Sequence, residues 1–140
     1  MNSDEITKAV IEFAKIYGLG KNREYNSLHA AICSASKYDR YFGLMGVFKC
    51  EMRDERLLIQ TFAGRVLLKV MPKAMESCES AIFSLLKYWD VSAEEVIYYL
   101  KVQHGKERLL SIVSCMRKGN LPERDLAVLK TIDYWLGKNE

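Results

Sequence analysis

Residues 47–71, VFKCEMRDERLLIQTFAGRVLLKVM, decide whether this chain carries a sheet. From 47 to 52 the side chains alternate. Phe48, Cys50 and Met52 fall on one side and Lys49 and Glu51 on the other, the period-two spacing of a half-buried strand. Two further apolar runs follow at 57–62 and 66–71, separated by segments of turn composition at 53–56 and at Ala63-Gly64-Arg65. The pattern predicts a three-stranded antiparallel meander. A helix over 54–71 competes, because Arg56, Gln60, Gly64 or Arg65, and Lys69 recur about every fourth residue. Gly43, Gly46 and Gly64 tip the choice toward strands, since each costs a helix interior about 1 kcal/mol relative to Ala.

On either side of this stretch the periodicity is helical. Ile6, Ala9, Val10, Phe13 and Ile16 share one face of a first helix that Ser3 can cap and Gly18 and Gly20 stop. A second helix over 26–37 turns Leu28, Ala31, Ile32 and Ala35 inward. After Pro72, the residues Met75, Cys78, Ile82, Leu85 and Trp89 alternate by three and four, as in one amphipathic helix. Ser92 and Glu95 have capping-box spacing ahead of Val96, Ile97 and Leu100, and Gly105 ends that helix. Leu109, Ile112, Val113 and Met116 mark a further helix. Asn120, Pro122 and Glu123 open the last one, which buries Leu126, Leu129, Ile132 and Leu136 beside Trp135. The expected fold is therefore mainly α (α+β), with antiparallel helices around a small central three-stranded antiparallel β-meander near residues 47–71. All 140 residues would form one compact domain. The alternative is an all-α helical bundle.

Composition excludes several classes of function. Hydrophobic residues make up 49% of the chain and charged residues 28%, which is globular and rules out wholesale disorder. Cys33, Cys50, Cys78 and Cys115 are scattered with no CxxC pair, so buried free thiols are expected rather than a disulfide framework. The polar, acidic opening does not read as a secretory leader. No apolar run nears the roughly 18 residues that cross a bilayer, so a cytoplasmic location and no membrane partner are expected.

The formal charge of +3 is mild but uneven. Residues 56–74 hold Arg56, Arg65, Lys69 and Lys73 with no acid. Before them, Lys15, Lys21, Arg23, Lys37, Arg40 and Lys49 face only Glu24 and Asp39, whereas residues 71–140 are balanced. An electropositive face should belong to the first half, and its expected partner is nucleic acid or an acidic protein surface.

Catalytic patterns fail one by one. His29 and Cys33 are four apart and would share a helix face, but a zinc site needs about two more ligands and no paired spacing supplies them. Gly18-Leu19-Gly20-Lys21-Asn22 lacks the first glycine and the hydroxyl residue of a phosphate loop, and follows a helix rather than a strand. The acidic pairs Asp4-Glu5 and Glu94-Glu95 suit first helical turns, and like Asp54-Glu55 they are adjacent residues that do not face each other on a helix. Gly-x-Ser-x-Gly is absent. Residues 37–41 lead into a glycine-broken stretch rather than a recognition helix, which argues against a winged-helix arrangement. No enzyme activity, metal or cofactor is expected.

The most suggestive local feature is the mixture of Tyr17, Tyr25, Tyr38 and Tyr41 with basic residues, because aromatic rings stack bases while Lys and Arg neutralise phosphates. Lys21, Arg23, Lys37, Arg40, Tyr41, Arg65 and Lys69 are the candidate nucleic-acid-binding residues. Tyr98 and Tyr99 are adjacent and cannot both point inward, so one of them is a candidate contact for a protein partner or a second copy of the chain. The expected function is a non-catalytic binding or assembly module, a small helical subunit of a nucleoprotein complex. The alternative is a protein-directed regulator, such as an immunity or inhibitor protein, that touches no nucleic acid.

Overall fold

Residues 56–70 form a helix, not strands, and this overturns the meander. The computed structural model describes residues 1–20 and 22–137. Among them the helices are α1 (Ser3–Tyr17), α2 (Arg23–Cys33), α3 (Lys37–Gly46), α4 (Arg56–Val70), α5 (Cys78–Leu85), α6 (Glu95–His104), α7 (Lys106–Arg117) and α8 (Glu123–Gly137). A single 3-10 turn at Val47–Lys49 occupies the segment that alternated like a strand, and the described residues contain no strand. The fold is all-α.

The apolar run at 57–71 misled because α4 is central. It buries Ile59, Gln60, Phe62, Ala63, Gly64, Val66 and Leu67, and α1, α3 and α6 pack against it. A helix covered on most sides loses its polar stripe, and its sequence then resembles a buried strand. The three glycines that weighed against a helix are points of close helix approach. A Cβ on Gly64 would lie 2.6 Å from Cβ of Glu95 on α6, and one on Gly43 would lie 2.6 Å from Cβ of Ile6 on α1. One on Gly46 would lie 2.6 Å from Thr7 Oγ1. The propensity penalty is real, but the packing between helices that a methyl group would block offsets it.

Several boundaries also move. α2 ends at Cys33, and Ser36 caps a separate helix, α3, by accepting from Asp39 N–H at 3.0 Å, so the stretch after Lys37 is helical despite its glycines. Asp39 in turn accepts from Ser3 N–H and Oγ–H, tying α3 to the start of α1. Asn2, rather than Ser3, caps α1, through a capping box with Glu5. Ser92 lies in a turn with its N–H bonded to Asp90 Oδ1, and no box with Glu95 opens α6. The helix expected after Pro72 begins only at Cys78, because residues 71–77 form a strap held down at three points. Tyr99 Oη–H donates to Pro72 O, Ala74 N–H donates to Gln103 Oε1 at 2.8 Å, and Tyr41 Oη–H donates to Glu76 Oε2 at 2.6 Å. Cys78 is buried, but Cys33 and Cys115 are exposed free thiols, contrary to the expectation of burial.

The core draws on every helix, from Ile6 and Val10 of α1 through Leu67 of α4 to Ile132 and Leu136 of α8. No helix among the described residues is long and apolar enough to cross a membrane.

Candidate functional site

The connection from α1 to α2 and the outer face of α4 enclose a half-open cleft of about 560 Å³. On α4, residues 62, 65, 66 and 69 follow one another at helical spacing, so Phe62, Arg65, Val66 and Lys69 present a single face to it. Opposite them stand Leu19 and Gly20, then Asn22, Arg23, Tyr25 and Asn26 at the start of α2. Asn22 caps α2, its Oδ1 accepting from Tyr25 N–H at 3.1 Å, and this fixes where Arg23 and Tyr25 leave the backbone.

The floor is aromatic and largely buried. Phe62 stacks on Phe13 with ring centroids 5.1 Å apart, and Tyr25 meets Phe62 edge to face at 6.2 Å. Lys69 Nζ lies 5.4 Å from the centroid of the Tyr25 ring, a cation–π distance. Partial burial, with the Cys33 thiol second, raises the Tyr25 phenol above its ordinary pKa, so the hydroxyl stays neutral and able to donate. Arg65 Nε is 3.8 Å from Glu95 Oε2, but its side chain remains 53% exposed. Arg23 and Asn26 are exposed. Arg23, Arg65 and Lys69 line the cleft with no carboxylate among the lining residues. Such a surface favours a ligand that is anionic at one end and flat and apolar at the other.

Of the residues singled out in the sequence, three meet here: Arg23, Arg65 and Lys69. Lys21 lies outside the described residues. Lys37 and Arg40 are on α3, away from the cleft, and the Arg40 Nε atom is buried with no hydrogen-bond partner among the described residues. Tyr41 is fully buried with its hydroxyl committed to Glu76, so it offers no ring to a ligand; the cleft's least buried aromatic is the half-buried Tyr25. Tyr99 is likewise buried and Tyr98 half-buried, as the adjacency of the pair requires. Phe62, Val66, Asn22 and Asn26 were missed. The spacing of Phe62, Arg65, Val66 and Lys69 would have disclosed the site had residues 54–71 been read as a helix.

His29 and Cys33 do meet, with Sγ 3.8 Å from either ring nitrogen, but on an exposed face of α2 outside the cleft. No three of the His, Cys, Asp and Glu side chains among the described residues converge as metal ligands. Compared with protein-family models, curated proteins and solved structures, the chain matches none.

Proposed function

We propose that the chain is a non-catalytic binding module whose α2–α4 cleft holds single-stranded nucleic acid. An unstacked base lies against the half-buried Tyr25 ring, which buried Phe62 and Val66 back, while Arg23, Arg65 and Lys69 meet the flanking phosphates. The observation that carries this reading is three cations, unopposed by any lining acid, around an aromatic floor. Single strands are bound by that combination of stacking platform and positive groove, and the base edge finds hydrogen-bonding groups in Asn22 and Asn26.

The test is fluorescence anisotropy with a labelled single-stranded 12-mer. Three phosphate contacts imply a slope of about −2 for log affinity against log salt, or roughly a twentyfold loss from 50 to 200 mM. The double variant Arg65→Glu with Lys69→Glu should bind at least tenfold more weakly at 50 mM. Absence of binding at 50 mM would refute the reading. It would favour a protein-directed module instead, for which the exposed Leu19 and Leu57, flanking an apolar groove beside the cleft, are the supporting observation.

A further inference from the structure

The basic residues of the second half, balanced by acids along the chain, are not balanced in space. Lys87, just beyond α5, and Arg124, in the first turn of α8, come up against Arg53 and Arg56 at the entrance to α4 and form a second concavity of about 360 Å³. The four cations are spread over residues 53 to 124 of the sequence, and only the tertiary fold makes them neighbours.

Two features make this a built site rather than a random cluster of surface charge. The first is anchoring. Arg124 Nη2–H donates to Lys87 O just beyond α5, Arg56 Nε lies 3.9 Å from Asp90 Oδ2, and Lys87 Nζ sits 5.1 Å from the centroid of the Tyr88 ring. These three head groups are each held at one point and keep other faces for a ligand. The second is the charge imbalance. Among the lining residues one carboxylate, Glu51, stands against four cations, and Asp90 pairs with Arg56.

The concavity differs from the α2–α4 cleft in what it lacks. No asparagine or glutamine is among its lining residues, and Trp89 is 4% exposed with its indole N–H donated to Ala93 O, so a base edge finds no side-chain amide here. A charged groove without groups that read a base edge suits backbone phosphates, not bases. Arg56 and Arg65 are nine residues apart on α4, about 13.5 Å along the axis and half a turn around it, so the two clefts open on opposite sides of the helix.

We propose that Arg53, Arg56, Lys87 and Arg124 form a second anion site that takes backbone phosphates of the strand held in the α2–α4 cleft. This rests on the function proposed above. Affinity then depends on strand length, because a short strand in the first cleft cannot also reach the second.

The experiment compares a 6-mer and a 20-mer of deoxythymidylate by anisotropy. The parent chain is set beside Arg53→Glu with Lys87→Glu and, separately, Arg65→Glu with Lys69→Glu. The first pair should lower 20-mer affinity about tenfold or more and reduce its salt slope by about 1.4, while leaving the 6-mer unchanged. An unchanged 20-mer affinity and slope in that pair, with binding lost in the second pair, overturns the second site and leaves the first. Titration of the parent chain with inorganic tripolyphosphate, followed by amide shifts in a ¹⁵N-correlated spectrum, separates the two claims if no oligonucleotide binds. Shifts clustered at residues 53–56, 87–89 and 124 would then uphold an anion site while removing the nucleic-acid reading. Their absence removes both.

Discussion

Gln60 shows how much one side chain can carry without advertising it. It is the one polar residue among the fully buried ones described, and it is satisfied at both ends: Nε2–H donates to Tyr88 O at 2.9 Å and Oε1 accepts from Asp90 N–H at 2.7 Å. It therefore clamps the middle of α4 to the turn after α5, next to the second basic concavity. Gln60→Leu keeps the volume but leaves a buried carbonyl and amide unpaired, and should lower unfolding free energy by about 1–3 kcal/mol in urea. Tyr41 is comparable. Removing its hydroxyl as Tyr41→Phe deprives the strap of its bond to Glu76, and a loss of about 1.5–3 kcal/mol is expected, as for hydrogen bonds to charged groups.

His104 should make stability depend on pH. Its Nε2 is buried without a hydrogen-bond partner among the described residues. Burial first and the Arg108 cation second hold its pKa below the ordinary 6.5, with Glu76 pulling the other way. The unfolded chain therefore takes up the proton before the folded one does. Stability is complete above pH 6.5 and falls as the pH drops from there toward the lower folded-state pKa. Urea midpoints at pH 7.5 and 5.5 should differ less in His104→Gln than in the parent chain; an identical difference would remove the histidine from the account.

At the scale of elements, helix contacts are set by glycine. Gly64→Ala gains helix propensity of about 1 kcal/mol, but its methyl group meets Glu95 Cβ and lies 3.2 Å from Val96 N, neither of which is the end of a flexible side chain. The net effect should be destabilisation of about 1–3 kcal/mol by chemical denaturation, as for overpacking elsewhere. A stabilised Gly64→Ala would mean that α4 and α6 are less closely packed than described. The same contact explains why the element was hard to read. Propensity counts the glycine against a helix, and nothing local reveals that a second backbone needs the space. Where helices have one clear buried face, as in α1 with Ile6, Val10 and Phe13 or α8 with Leu129, Ile132 and Leu136, the spacing alone disclosed them.

Across the whole molecule, the two tryptophans converge on one turn. Trp89 Nε1–H donates to Ala93 O at 2.9 Å and Trp135 Nε1–H donates to Val91 O at 2.8 Å, so α8 and the end of α5 are pinned to the entry of α6. With buried residues of all eight described helices in one cluster, tryptophan fluorescence and far-ultraviolet circular dichroism should give coincident unfolding curves. Separated transitions would show that α1–α3 fold apart from the tryptophan-bearing half.

What local chemistry writes into a chain is period and punctuation, and both were legible here: the amphipathic helices at either end, their stops at Gly18 and Gly105, and the excess of base over acid in the first half. Tertiary structure decided the rest. It made α4 helical by surrounding it, buried Tyr41 and left Tyr25 beside Lys69, and brought Lys87 and Arg124 to Arg53 and Arg56. The physical reason is that burial and charge clustering belong to surfaces assembled from distant segments, whereas periodicity survives in a window of a few turns.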